Sequence, residues 1–104
     1  GRTIQIHLPE YIVMEKESCH RLEFSICCKT EPVQQREQSV LAFRYLTTDG
    51  MPVTDFQETV LTLDTEKIDY TIWGIRNQGE YRLEFEFRTG EKRKRESCKA
   101  IITA

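Results

Sequence analysis

The sequence predicts an all-β domain, a seven-stranded antiparallel β-sandwich, from three observations. Apolar residues recur at every second position, turn residues punctuate those runs at short intervals, and no helical periodicity competes with them. With 104 residues, 38% hydrophobic and 31% charged, the chain suits one domain spanning 1–104, a fragment of a larger multidomain protein. This composition excludes a disordered or collagen-like chain. No apolar run approaches the roughly 20 residues that a membrane-crossing helix needs, so membrane insertion is not expected.

The chain opens on Ile4, Ile6 and Leu8, and Tyr11 to Met14 offers a second candidate for the first strand, with Pro9 as a bend between them. Leu22, Phe24, Ile26 and Cys28 then alternate with Glu23, Ser25 and Cys27, the mark of a strand with one buried face. Val33 to Gln38 is polar and reads as an exposed loop. Leu41, Phe43 and Tyr45 alternate with Ala42 and Arg44. Pro52 to Gln57 suits an edge strand at most, because proline cannot donate to an interior ladder.

Two further strands follow from Val60, Thr62 and Asp64 against Leu61 and Leu63, and from Tyr70 and Ile72 against Thr71 and Trp73. Tyr81, Leu83, Phe85 and Phe87 give another clear alternation, and Ala100 to Ile102 closes the chain. Between the runs lie Glu31-Pro32, Asp49-Gly50, Asn77-Gln78-Gly79 and Thr89-Gly90, each a turn signal.

The second half resembles a fibronectin type III domain. Tyr70-Thr71-Ile72-Trp73-Gly74-Ile75, then Gly79-Glu80-Tyr81 leading into Leu83, Phe85 and Phe87, is similar to that family's fifth strand, turn and sixth strand. Leu41 to Tyr45 is similar to its third strand and Ser97 to Thr103 to its last, so the resemblance covers residues 20–104. It implies a tyrosine corner at Tyr81, whose phenol would cap backbone while its ring fills the core. The family's core tryptophan is replaced by Cys28, so Phe24, Phe43 and Phe85 are expected to fill that volume. Immunoglobulin-like sandwiches share the corner, and the architecture serves many roles, so it supplies no function alone.

Catalytic signals are weak. The two histidines, His7 and His20, stand near no nucleophile motif, and Cys19 and His20, as neighbours in a strand, point to opposite faces. No catalytic residue, cofactor or metal is expected, since Cys27 and Cys28 are adjacent and Cys19 lies outside the two-to-four-residue spacing of zinc ligands. Free thiols are the preferred reading. Cys27 or Cys28 with Cys98 is the disulfide alternative, because the second strand would end and the seventh begin at one pole.

The net charge of −2 excludes a strong global field, yet Lys92, Arg93, Lys94 and Arg95 form an unbroken basic run, placed in the loop or hairpin between the last two strands. Trp73 falls on the outward parity of its strand. It either lies across neighbours such as Arg21 or Arg82 or waits for a partner.

The expected function is a non-catalytic protein-protein interaction or spacer module, binding through a sheet face, an edge strand or pole loops, with Trp73 and the basic run as its named residues. Its partners would be another protein or neighbouring domains, with a homodimer through an edge strand as a variant. The alternatives are binding of nucleic acid or heparin through the basic run, and an adhesion or receptor ectodomain. A missing glycosylation sequon and the cysteine placement favour a cytoplasmic or nuclear setting over an extracellular one.

Overall fold

A computed structural model describes residues 3–29, 39–61 and 67–104, with the side chains of residues 3, 27–29 and 67 left aside. The described chain is all-β, with eight strands: β1 (Thr3–His7), β2 (Tyr11–Glu15), β3 (Cys19–Lys29), β4 (Ser39–Leu46), β5 (Gln57–Leu61), β6 (Lys67–Trp73), β7 (Gly79–Thr89) and β8 (Lys92–Thr103). They form a three-stranded sheet, β1-β3-β6, and a five-stranded sheet, β2-β8-β7-β4-β5.

Eight strands replace the expected seven because both candidates for the first strand exist, one in each sheet. Ile4 and Ile6 of β1 pair antiparallel with Cys28 and Ile26 of β3. The chain then crosses at Pro9, which has no amide hydrogen to continue the ladder, and Tyr11 to Glu15 pair with Lys99 to Thr103. That second pairing is parallel, a correction to the all-antiparallel expectation.

The alternation read from the sequence sorts side chains as expected. Ile12, Met14, Leu22, Phe24, Ile26, Leu41, Phe43, Tyr45, Ile68, Ile72, Leu83, Phe85, Ala100 and Ile102 form one core fed by both sheets. Phe85 of one sheet stacks against Phe24 of the other, with ring centroids 5.0 Å apart, and against Phe43 at 6.1 Å. Burying such rings supplies roughly 1.5–3 kcal/mol each. The side chain of Cys28 and the loop at Val33 to Gln38 lie outside the described residues, as does everything expected of Thr62 to Asp64. Pro52 makes only an isolated bridge to Leu46, and the edge strand begins later, at Gln57.

Candidate interaction surfaces

The basic run does not form a loop. The turn is Gly90-Glu91, with Thr89 opposite Lys92, and Lys92, Arg93, Lys94 and Arg95 are the first four residues of β8, opposite Thr89, Arg88, Phe87 and Glu86. Gly90 has φ 58°, which suits the first central position of a two-residue hairpin turn and lets the ladder close immediately. Pairing with β7 then carries the cations into strand conformation.

That pairing also disposes of one of the four charges. The Arg95 guanidinium donates to the Glu86 carboxylate at 2.6 Å, and Arg88 approaches the same carboxylate at 3.3 Å. Glu86 is 4% exposed although it stands on the outward face of the five-stranded sheet. Its hydrogen bond, with its negative charge, holds Arg95 firmly protonated. Lys94 lies 3.6 Å from Glu96, an exposed pair, while Lys92 and Arg93 make no ion pair among the described residues.

The rest of this face is occupied by its own side chains. Arg44 bonds Glu84 at 2.8 Å, Arg88 bonds Glu58 at 2.9 Å, and the Arg44 and Arg95 guanidinium groups lie 4.2 and 5.4 Å from the centroid of Phe56. Cation-ring contacts of this kind add modest attraction and exclude water from the ion pairs beneath. Neither Phe56 nor Glu86 stood out in sequence. Phe56 lies in the poorly patterned stretch before β5, and Glu86 alternates as a solvent-facing residue would.

On the outward face of the three-stranded sheet, Trp73 ends β6 opposite Cys19 and is 62% exposed. Neither expected cover lies across it. Arg21 turns to Asp69, donating from Nε at 2.6 Å, and this bond keeps the Asp69 carboxyl below its usual range. Arg82 belongs to the other sheet, with its guanidinium on the Ser97 hydroxyl at 2.9 Å. Trp73 and the basic run therefore stand at opposite ends of the molecule and on different sheets. They do not form one site.

Tyr81 sits at the start of β7 and donates from its phenol to the Asn77 carbonyl at 3.0 Å, its ring 6.3 Å edge-on from that of Tyr45. Phe43 and Phe85 are core residues at 3% and 0% exposure. Cys98 is a buried free thiol, its pKa pushed up to about 11 by burial, whereas Cys19 is free and exposed. His20 half-buries on the face opposite Cys19. Among the described residues no group of three or more histidine, cysteine, aspartate or glutamate side chains is arranged to hold a metal, and no helix is long and apolar enough to cross a membrane.

An open groove of about 370 Å³ runs between the β1-to-β2 crossover, at His7, Leu8 and Pro9, and the β8 residues Glu96, Ser97 and Cys98. Tyr11 and Val13 of β2, the strand that follows the crossover, are 57% and 46% exposed. No protein-family model matches the chain, and a search of curated proteins gives no match either.

Proposed function

We propose that the chain is a non-catalytic interaction module, a fibronectin type III-like or immunoglobulin-like β-sandwich that serves a larger protein by binding another protein or a neighbouring domain. The architecture supports the fold assignment in two ways. The strand orders β1-β3-β6 and β8-β7-β4 correspond to the first-second-fifth and seventh-sixth-third strands of such sandwiches. The Tyr81 phenol on the Asn77 carbonyl has the arrangement of a tyrosine corner.

The observation that carries the functional reading is the exposure of Trp73, the only tryptophan, at 62% on a strand face. Tryptophan is among the residues most enriched in interface hot spots, because a partner that covers it buries a large apolar area with few rotamers to freeze. A photo-crosslinking residue placed at Trp73, in the protein expressed in its own cells, is expected to trap a defined protein. The same residue at Asp49 serves as the control. Equal labelling from both positions would end the reading. Trp73→Ala is expected to keep the fold and weaken the trapped complex by a hundredfold or so, about 2–3 kcal/mol.

Lys92 and Arg93, without ion pairs among the described residues, favour a second reading, binding of nucleic acid or heparin. Affinity that falls steeply with salt and has no preference among polyanions would support it.

A further inference from the structure

β8 is paired along all but its last residue on one side and along less than half of its length on the other. β7 meets every residue from Lys92 to Ile102, whereas β2 begins only at the Tyr11 to Lys99 pair. Residues 92–98 therefore present a strand edge with no strand partner among the described residues, roughly 23 Å long at 3.3 Å per residue. The vacancy has a structural cause. The chain that would fill it leaves at Pro9 for the other sheet, where it runs as β1.

The lower half of the same edge already accepts a strand, since β2 lies along Lys99 to Thr103. The upper half continues that line into the groove bordered by His7, Leu8 and Pro9. We infer that the open edge of β8 at Lys92 to Cys98 binds an extended acidic peptide segment of a partner protein, which adds as a strand in line with β2. This inference rests on the interaction-module reading and names a partner chemistry for it.

Charge selects the occupant. Of the open edges, this one carries an unbroken run of cations, and its Lys92 and Arg93 have no ion pair among the described residues. A second copy laid along 92–95 would set cation against cation, as Lys on an edge strand does when it prevents self-pairing. An acidic strand neutralises the run on both faces, because Lys92 and Lys94 project to one side of β8 and Arg93 to the other. At Glu96 the sign of the charge reverses, with the carboxylate 3.6 Å from Lys94, and along Ser97 and Cys98 backbone pairing has to carry the contact.

The test uses an eight-residue acetylated peptide alternating pairs of glutamates with pairs of valines, so that carboxylates stand on both faces of the strand, titrated into isotope-labelled protein while amide shifts and hydrogen exchange are followed. Shifts along residues 92–98, slowed exchange at Glu96 to Cys98, and about tenfold weakening in the triple variant Lys92→Ser, Arg93→Ser, Lys94→Ser are expected. A lysine-for-glutamate peptide should not bind. Equal binding by a peptide N-methylated at alternate amides, which cannot pair as a strand, would reduce the site to a charged patch and overturn the inference. Equal occupancy by heparin would do the same, as would shifts centred on β5 or β6 or on a self-associated species, or no binding at millimolar peptide. None of these results touches the Trp73 crosslink, so the narrower inference can fail while the broader reading stands.

Discussion

The two ends of the molecule are built differently. At the end where β6 stops, backbone segments from three parts of the chain bond to one another. Lys16 donates to Thr103, Glu17 to Gly74, and Gly74 to Ser18, at 2.8 to 2.9 Å, and the turn after β4 returns so that Val53 donates to the Tyr45 carbonyl at 2.8 Å. Tyr45 and Tyr81 then tie side chain to backbone through Trp73 and Asn77. At the end where β7 turns into β8, a two-residue turn and a row of exposed cations project from the ladder. Distributed hydrogen bonds make the first end a source of stability. The second contributes a surface whose charges the fold does not need, so mutations at the two ends should damage different properties.

The largest effect is expected at Gly74. A Cβ there would stand 2.2 Å from the Glu15 carbonyl oxygen, backbone that cannot swing aside. Gly74→Ala must separate β2 from the end of β6 and break the reciprocal bonds with Ser18 and Glu17. Overpacking of this kind costs about 3 kcal/mol, which for a domain of this size lowers the melting temperature by more than about 10 °C in calorimetry. A loss below about 1 kcal/mol would show that this end yields easily, and the contrast between the two ends would collapse.

Tyr45→Phe should cost less, about 1–2 kcal/mol, because it removes one hydroxyl and leaves the ring. That hydroxyl donates to the Trp73 carbonyl at 2.6 Å and lies 3.3 Å from the Met14 sulfur, within a side chain only 2% exposed. Burial raises the Tyr45 pKa to about 12, above its ordinary 10.0. The unfolded chain therefore loses this proton first as pH rises. Stability contributed by the neutral phenol is complete below pH 10 and lost between pH 10 and about 12. Cys98 acts in the same direction from pH 9 to about 11. Denaturant titrations across this range should show wild type declining through both windows and Tyr45→Phe with a shallower decline in the upper one. Identical slopes would mean that the phenol is not held neutral by burial.

The contrast between ends was only half legible in sequence. Strict alternation at Leu22 to Ile26, Leu41 to Tyr45 and Tyr81 to Phe87 determined which side chains meet in the core, because a one-residue slip would turn every one of them outward. The capping role expected of Tyr81 came from the resemblance of Gly79-Glu80-Tyr81 to the fibronectin type III pattern and not from alternation. The fate of Lys92 to Arg95 was not legible. Four cations after Thr89-Gly90 look like a solvated tip, and what carries them into β8 is the two-residue turn, which sets Lys92 opposite Thr89 and Arg95 opposite Glu86. The division of the first strand was hidden too. Pro9 announces a bend, but which sheet each half joins depends on edges built from residues far along the chain.

The smallest effect on stability is expected where the effect on binding is largest. The triple variant Lys92→Ser, Arg93→Ser, Lys94→Ser removes three exposed side chains and leaves Arg95 on Glu86. Of the three, only Lys94 has an ion pair, and at 3.6 Å with both partners exposed it contributes little. Arg93 stands opposite Arg88, so its loss also relieves a like-charge pairing. These terms nearly cancel, and the denaturant midpoint should move by no more than about 0.5 kcal/mol equivalent. A variant destabilised by 2 kcal/mol or more would show that the cations hold the hairpin together. They would then belong to the fold, as Gly74 does, and would not be free for a partner. An unchanged midpoint combined with a tenfold loss of the acidic peptide would separate the two ends cleanly, one holding the structure and the other available for recognition.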